Sequence, residues 1–132
     1  MAFIYEKVKE EDWELYNSFL PNYEKADEFT RWVADKERNI YFFWTGGEIR
    51  ESMYEYFLAW DDLKIYIYTE LRSGNEKIYI WIKQISIPKV LSNDNEKINE
   101  IVDMIKEILQ IMYNNKIIFK KIVEPSLRKW DN

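Results

Sequence analysis

The chain has 132 residues, about the length of one domain, with a formal net charge of -5 and an unusually high aromatic share of 17%. It contains neither Cys nor His, which excludes disulfides, thiolate catalysis, Ser-His and Cys-His nucleophile pairs, and metals held by His or Cys. The acidic balance works against non-specific binding to nucleic acid or to an anionic membrane, because neutralising phosphates takes clustered Lys and Arg.

The opening residues, MAFIYEKVKEED, show no basic segment followed by an apolar run, and no apolar run approaches the roughly 20 residues that span a bilayer. The expectation is therefore a cytoplasmic protein without a membrane partner. Residues 3–8 read as a first strand with imperfect alternation. Glu10, Glu11 and Asp12 then precede a helical stripe of Trp13, Tyr16, Phe19 and Leu20, acidic residues suiting the positive end of a helix dipole. Pro21-Asn22 ends that helix. Residues 23–29 are ambiguous: Tyr23, Ala26 and Phe29 or Thr30 would share one face of a short helix. Residues 30–34 alternate weakly and lead into a charged turn, Asp35-Lys36-Glu37-Arg38.

Residues 39–45, NIYFFWT, are apolar on both sides and predict a central strand covered on both faces. Gly46-Gly47 marks a turn. Residues 54–60 predict a further strand with Tyr54, Tyr56, Leu58 and Trp60 on one face, and Asp61-Asp62 a tight turn. Residues 63–87 predict a long hairpin turning at Arg72-Ser73-Gly74-Asn75. Leu63, Ile65, Ile67, Ile78, Ile80 and Ile82 share its aliphatic face. Tyr66, Tyr68, Tyr79 and Trp81 share the other, with Lys64, Glu70, Lys77 and Lys83 around them. Ile85 and Ile87 break the parity. Either a β-bulge at Lys83-Gln84 returns them to the aliphatic face, which is the preferred reading, or the strand's end is buried on its opposite side. Pro88 stops the ladder.

The longest periodic element follows. Ile98, Ile101, Val102, Ile105, Ile108, Leu109 and Met112 keep the i, i+3, i+4, i+7 rule, with Met104 and Ile111 widening the stripe. Asn93 and Glu96 resemble a capping box, and Asn114-Asn115 a stop. Residues 116–123, KIIFKKIV, predict a last strand, with Lys120 and Lys121 on opposite sides of it, and residues 124–132 a tail. The whole predicts a single α+β domain over residues 1–132: an antiparallel β-meander of about five to seven strands, a long C-terminal amphipathic helix packed on one face, a shorter N-terminal helix and a final C-terminal strand. The crossover helix is long enough for that last strand to run parallel to a neighbour.

Little in the chain carries catalysis. Asp61-Asp62 reads as a solvated turn. Glu48, Glu51 and Glu55 share a face only if that stretch is helical, which would make a carboxylate site for Mg²⁺ or Ca²⁺. Thr45-Gly46-Gly47 matches neither the phosphate-loop nor the dinucleotide fingerprint. The expectation is no cofactor, no bound metal and no catalytic residue. The aromatic face is the stronger candidate: Tyr66, Tyr68, Tyr79 and Trp81, extended by Tyr54, Tyr56 and Trp60 if their strand pairs with the hairpin. Such a surface, with acidic surroundings, suits a protein partner or a homodimer, in the manner of an inhibitor or immunity protein. The bland alternative is that a helix covers it. A small apolar ligand in an aromatic pocket between sheet and helix, as in a sensor or carrier, and a carboxylate-dependent metal enzyme are the other readings. Nucleic acid ranks below them, for want of a basic groove.

Overall fold

The structure is a computed structural model that describes residues 3–45 and 51–128. One sheet organises it. Strands β1 (Ile4–Lys7), β2 (Arg31–Asp35), β3 (Ile40–Trp44), β4 (Met53–Trp60), β5 (Leu63–Gly74), β6 (Lys77–Ile87) and β7 (Ile117–Ile122) lie in that spatial order, and β8 (Ser126–Leu127) also pairs with β6. All pairings from β1 to β6 are antiparallel, while β7 and β8 run parallel to β6. Helix α1 (Trp13–Phe19) follows a 3-10 turn at Glu10–Asp12, and helix α2 (Asn95–Met112) makes the crossover from β6 to β7. The fold is the predicted α+β domain, a six-stranded antiparallel meander with two helices and a final strand after the second, and two residues of the expected tail, Ser126 and Leu127, pair in addition beside Ser86 and Ile87.

Most of the turn residues in left-handed backbone are Asn or Asp, which tolerate it. The β5–β6 hairpin closes on Asn75 and Glu76, with φ of 49° and 63°. Two consecutive left-handed residues make the type I′ geometry that matches strand twist, so the ladder continues through Gly74↔Lys77, past the predicted start of the turn. Asp61 (φ 52°) turns β4 into β5. Tyr68 faces Gln84 and Thr69 faces Ile82, which leaves Lys83 as the extra residue of a β-bulge, and Ile82, Ile85 and Ile87 all reach the same core. Helix α2 is capped by Asp94 rather than the predicted Asn93: its carboxylate accepts from the Lys97 N–H at 3.0 Å. Asn114 and Asn115 (φ 55° and 60°) end the helix.

Two cores lie on the two faces. On the first, Ile101, Ile105, Ile108 and Leu109 of α2 pack with Phe3, Val33, Phe42, Tyr56, Leu58, Ile65, Ile67, Ile80 and Ile82, a layer reaching from the start of the chain to Ile117 of β7. On the second, Trp13, Tyr16, Phe19 and Leu20 pack over Val8, Trp32, Ala34, Tyr41, Phe43 and Ala59. Strand β3 is central and buried on both sides, as its unbroken apolar run predicts. The sheet also forks. Pairing of β2 with β3 ends at Val33↔Phe42, yet β1–β2 pairing continues to Lys7↔Arg31 and β3–β4 pairing to Trp44↔Tyr56.

Candidate functional site

The second face is only half covered. Tyr16 meets Phe43 with ring centroids 4.8 Å apart, and Phe19 meets Tyr41 at 5.4 Å, so α1 sits over β2 and β3. Beyond it a chain of edge-on rings, Tyr23 to Phe57 (6.4 Å) and Phe57 to Tyr66 (5.5 Å), carries the aromatic layer onto β5. Both helices are then used up. Among the described residues no helix packs over the second face from Tyr66 onward.

On that open half the hairpin brings together Tyr66, Tyr68, Tyr79 and Trp81, each half-buried. The register explains the grouping: Tyr66 is opposite Phe57 and Tyr68 opposite Glu55 on β4, while Glu70 is opposite Trp81 and Arg72 opposite Tyr79 on β6. Charges are threaded between the rings. The Tyr66 hydroxyl donates to the Glu55 carboxylate, and burial together with that carboxylate pushes the phenol's pKa up. Glu70 is paired with Arg72 and, at 3.3 Å, with Lys83. The Arg72 hydrogen bond, reinforced by Lys83, holds its carboxyl below the ordinary range.

Strand β7 completes the rim. Its register against β6 shifts between Ile80 and Trp81, so that Phe119 lies beside Ile80 and Lys121 beside Trp81. Lys120 is the extra residue, and its ammonium stands 5.8 Å from the Tyr79 ring. The two lysines therefore both serve the aromatic side, where simple alternation had divided them. Arg72, Lys83, Lys120 and Lys121 against Glu55 and Glu70 make the rim basic. The expected acidic surroundings lie elsewhere: Glu96, Glu100, Asp103 and Glu107 are exposed on α2.

Three of the expected site residues belong to the opposite face. Pairing of β4 with β5 sets Tyr56 beside Ile67, and Trp60 beside Leu63, on the α2 side. Tyr56 is fully buried with its hydroxyl bonded to that of Tyr113. Trp60 is 8% exposed beneath the Lys97 ammonium, 3.2 Å from its ring centroid. Tyr54 packs against the same core. The seven aromatics are thus four on one surface and three on the other. The Glu48, Glu51, Glu55 grouping is not helical at its described end, since Met53–Trp60 is a strand. Glu48, with Gly46 and Gly47, lies outside the described residues, and no cluster of potential metal ligands occurs among those described. No helix of the described residues is long and apolar enough to cross a membrane.

A concave feature lies at another place in the fold. A cleft of about 400 Å³ opens at the fork between β2 and β3. Arg31 and Thr30 form one prong, Trp44 and Thr45 the other. Tyr113 and Met112 approach from the end of α2, and Tyr16 with Glu24, Lys25, Asp27 and Phe29 from the side of α1. Trp44 and Phe29 are 45% and 80% exposed there. Only spatial convergence of elements remote in sequence makes this cleft, which is why no local pattern announces it. No protein-family model, no curated protein and no solved structure matches this chain.

Proposed function

We propose that this is a small non-catalytic cytoplasmic interaction protein, of inhibitor or immunity type, which binds a protein partner through the open half of its second sheet face. One observation carries the reading: α1 covers β2 and β3 and leaves Tyr66, Tyr68, Tyr79 and Trp81 without a helix above them. Half-buried Tyr and Trp supply large contact area with few rotors to immobilise, which is what interface centres use. The basic rim of Lys83, Lys120 and Lys121 favours a partner that presents acidic side chains around an apolar centre. A protein suits the surface better than a nucleic acid, because Glu55 and Glu70 stand among the rings and would oppose a phosphate backbone.

Affinity capture from lysate of the native host, with and without nuclease treatment, tests the reading, comparing the wild type with Trp81→Ala, Tyr68→Ala and the double charge reversal Lys120→Glu/Lys121→Glu. A protein retained by the wild type and lost from all three variants, with binding that weakens as salt rises, is the expected result. A partner held equally by every variant places the interface elsewhere, and capture that disappears with nuclease treatment assigns the face to nucleic acid.

A further inference from the structure

We infer that the cleft in the forked sheet binds a small, uncharged, flat aromatic molecule carrying a hydrogen-bond acceptor, which the Tyr113 hydroxyl takes. The volume of about 400 Å³ lies within the range of small-molecule sites. Five rings line it: Tyr5, Tyr16, Phe29, Trp44 and Tyr113. Phe29 is held in place from behind: its N–H donates to Asp27 Oδ1 at 2.8 Å, and the Thr30 hydroxyl donates to the same oxygen at 3.2 Å. The backbone there is tied down while the ring remains 80% exposed. Trp44, at the end of β3, is steadied by an edge-on contact with Tyr54 at 6.1 Å and still shows 45% of its surface. Exposed rings fixed at the mouth of a ring-lined cleft suit a ligand that is itself flat and apolar.

Charge does not choose the ligand. Glu24 and Asp27 are matched in number by Lys25 and Arg31, so the lining is neutral overall. A ligand with net charge would lose hydration against the rings and meet no surplus of the opposite sign. What selects is a proton count at the inner wall. The hydroxyls of Tyr56 and Tyr113 bond to each other, and that bond uses one of their two protons. Tyr56 is fully buried in the core under α2, and among the described residues its hydroxyl bonds only that of Tyr113. If Tyr113 were the donor, the Tyr56 proton would be stranded in that core without an acceptor. Tyr56 therefore donates to Tyr113, and the Tyr113 proton is left for the cleft that Tyr113 lines. Burial pushes the Tyr113 phenol above its ordinary value, so it remains a donor at neutral pH. A carbonyl oxygen or a ring nitrogen on the ligand would accept that proton.

Four probes built on one ring system test this: 1-indanone, which carries the acceptor; indane, which lacks it; and 1-aminoindane and indane-1-carboxylate, which carry a positive and a negative charge. Each is titrated into the full chain at neutral pH by calorimetry and ligand-observed NMR. Indanone is expected to bind saturably and about fivefold more tightly than each of the other three. Phe29→Ala removes an exposed ring and should weaken indanone and indane alike, by about fivefold. Tyr113→Phe should lower indanone to the affinity of indane while leaving indane unchanged, and Tyr56→Phe should keep the preference for indanone. Because Tyr113→Phe strands the Tyr56 hydroxyl, the double variant Tyr56→Phe/Tyr113→Phe removes both hydroxyls and keeps the packing, and the same loss of preference is expected of it; circular dichroism verifies each fold. The inference fails if no probe saturates, if either charged probe binds as tightly as indanone, if indane equals indanone in the wild type, or if the preference survives in the folded double variant. None of these outcomes bears on the hairpin face, so the two sites succeed or fail separately.

Discussion

The two faces of this sheet are closed by helices of very different reach. Helix α2 has 18 residues, about 27 Å of axis at 1.5 Å per residue. Seven strands spaced about 4.8 Å apart span about 29 Å. One helix is therefore long enough to roof the aliphatic face, and its core reaches from Phe3 to Ile117. Helix α1 has seven residues, about 10 Å, enough for roughly two strands. The chemistry of each face follows its cover. Isoleucines fill the roofed face. The half-roofed face uses Tyr and Trp, which bury a ring and still keep a polar edge in water. What separates core from candidate interface on the second face is helix length.

The largest effects should come from residues under the two helices. Phe43→Ala, fully buried beneath α1, should cost roughly 3–5 kcal/mol, and Ile105→Ala in α2 roughly 2–5 kcal/mol, both measured by urea denaturation. Trp81→Ala on the open half should cost only about 1–2 kcal/mol, as expected for a half-buried side chain. A loss equal to that of Phe43→Ala would mean the open half is in fact covered, and the contrast between the halves would collapse. A gain is expected at the hairpin's tip. Glu76 adopts φ of 63° without being Gly, so Glu76→Gly should stabilise by about 1 kcal/mol with the binding surface intact.

The smallest effect is one of acidity, and it belongs to the roofed part of the molecule. Asp35 is 1% exposed, and its hydrogen bond from Arg38 holds its carboxyl below the ordinary value of 3.8. A depressed carboxyl contributes stability that is complete above the unfolded value and is lost as pH falls through the folded one. The stability gap between wild type and Asp35→Asn should therefore be constant near neutrality and shrink as pH drops below about 4. A gap that does not narrow would mean the aspartate acts only as a turn former.

Much of this was legible from local pattern. The β3 run, the hairpin's two faces, the bulge at Lys83 and the α2 stripe each lie in one short window where spacing decides which side a residue faces. The cap and the hairpin turn were each misplaced by a residue or more within one window, whereas the errors that matter for the candidate surface depend on partners outside each strand. Tyr56 and Trp60 went to the α2 side because the Asp61-Asp62 turn puts Trp60 opposite Leu63. Lys120 joined Tyr79 because β7 meets β6 through a bulge in a parallel pairing, which no alternation within residues 116–123 reveals. The cleft is further still from local pattern, since its walls come from β1, β2, β3, both helices and the segment after α1.

The crossover position of α2 also has a consequence for synthesis. By the time Ile87 has left the ribosome, every strand of the antiparallel meander has emerged, and each antiparallel pair is between strands adjacent in sequence. The helix that roofs the isoleucines begins only at Asn95 and ends at Met112. For that interval a nascent chain would carry Ile65, Ile67, Ile80, Ile82, Ile85 and Ile87 on an unshielded sheet, the kind of transient apolar surface that draws chaperones or neighbouring chains. Translation speed across residues 88–112 should therefore govern yield, and slow codons in that interval should lower soluble expression more than slow codons anywhere upstream.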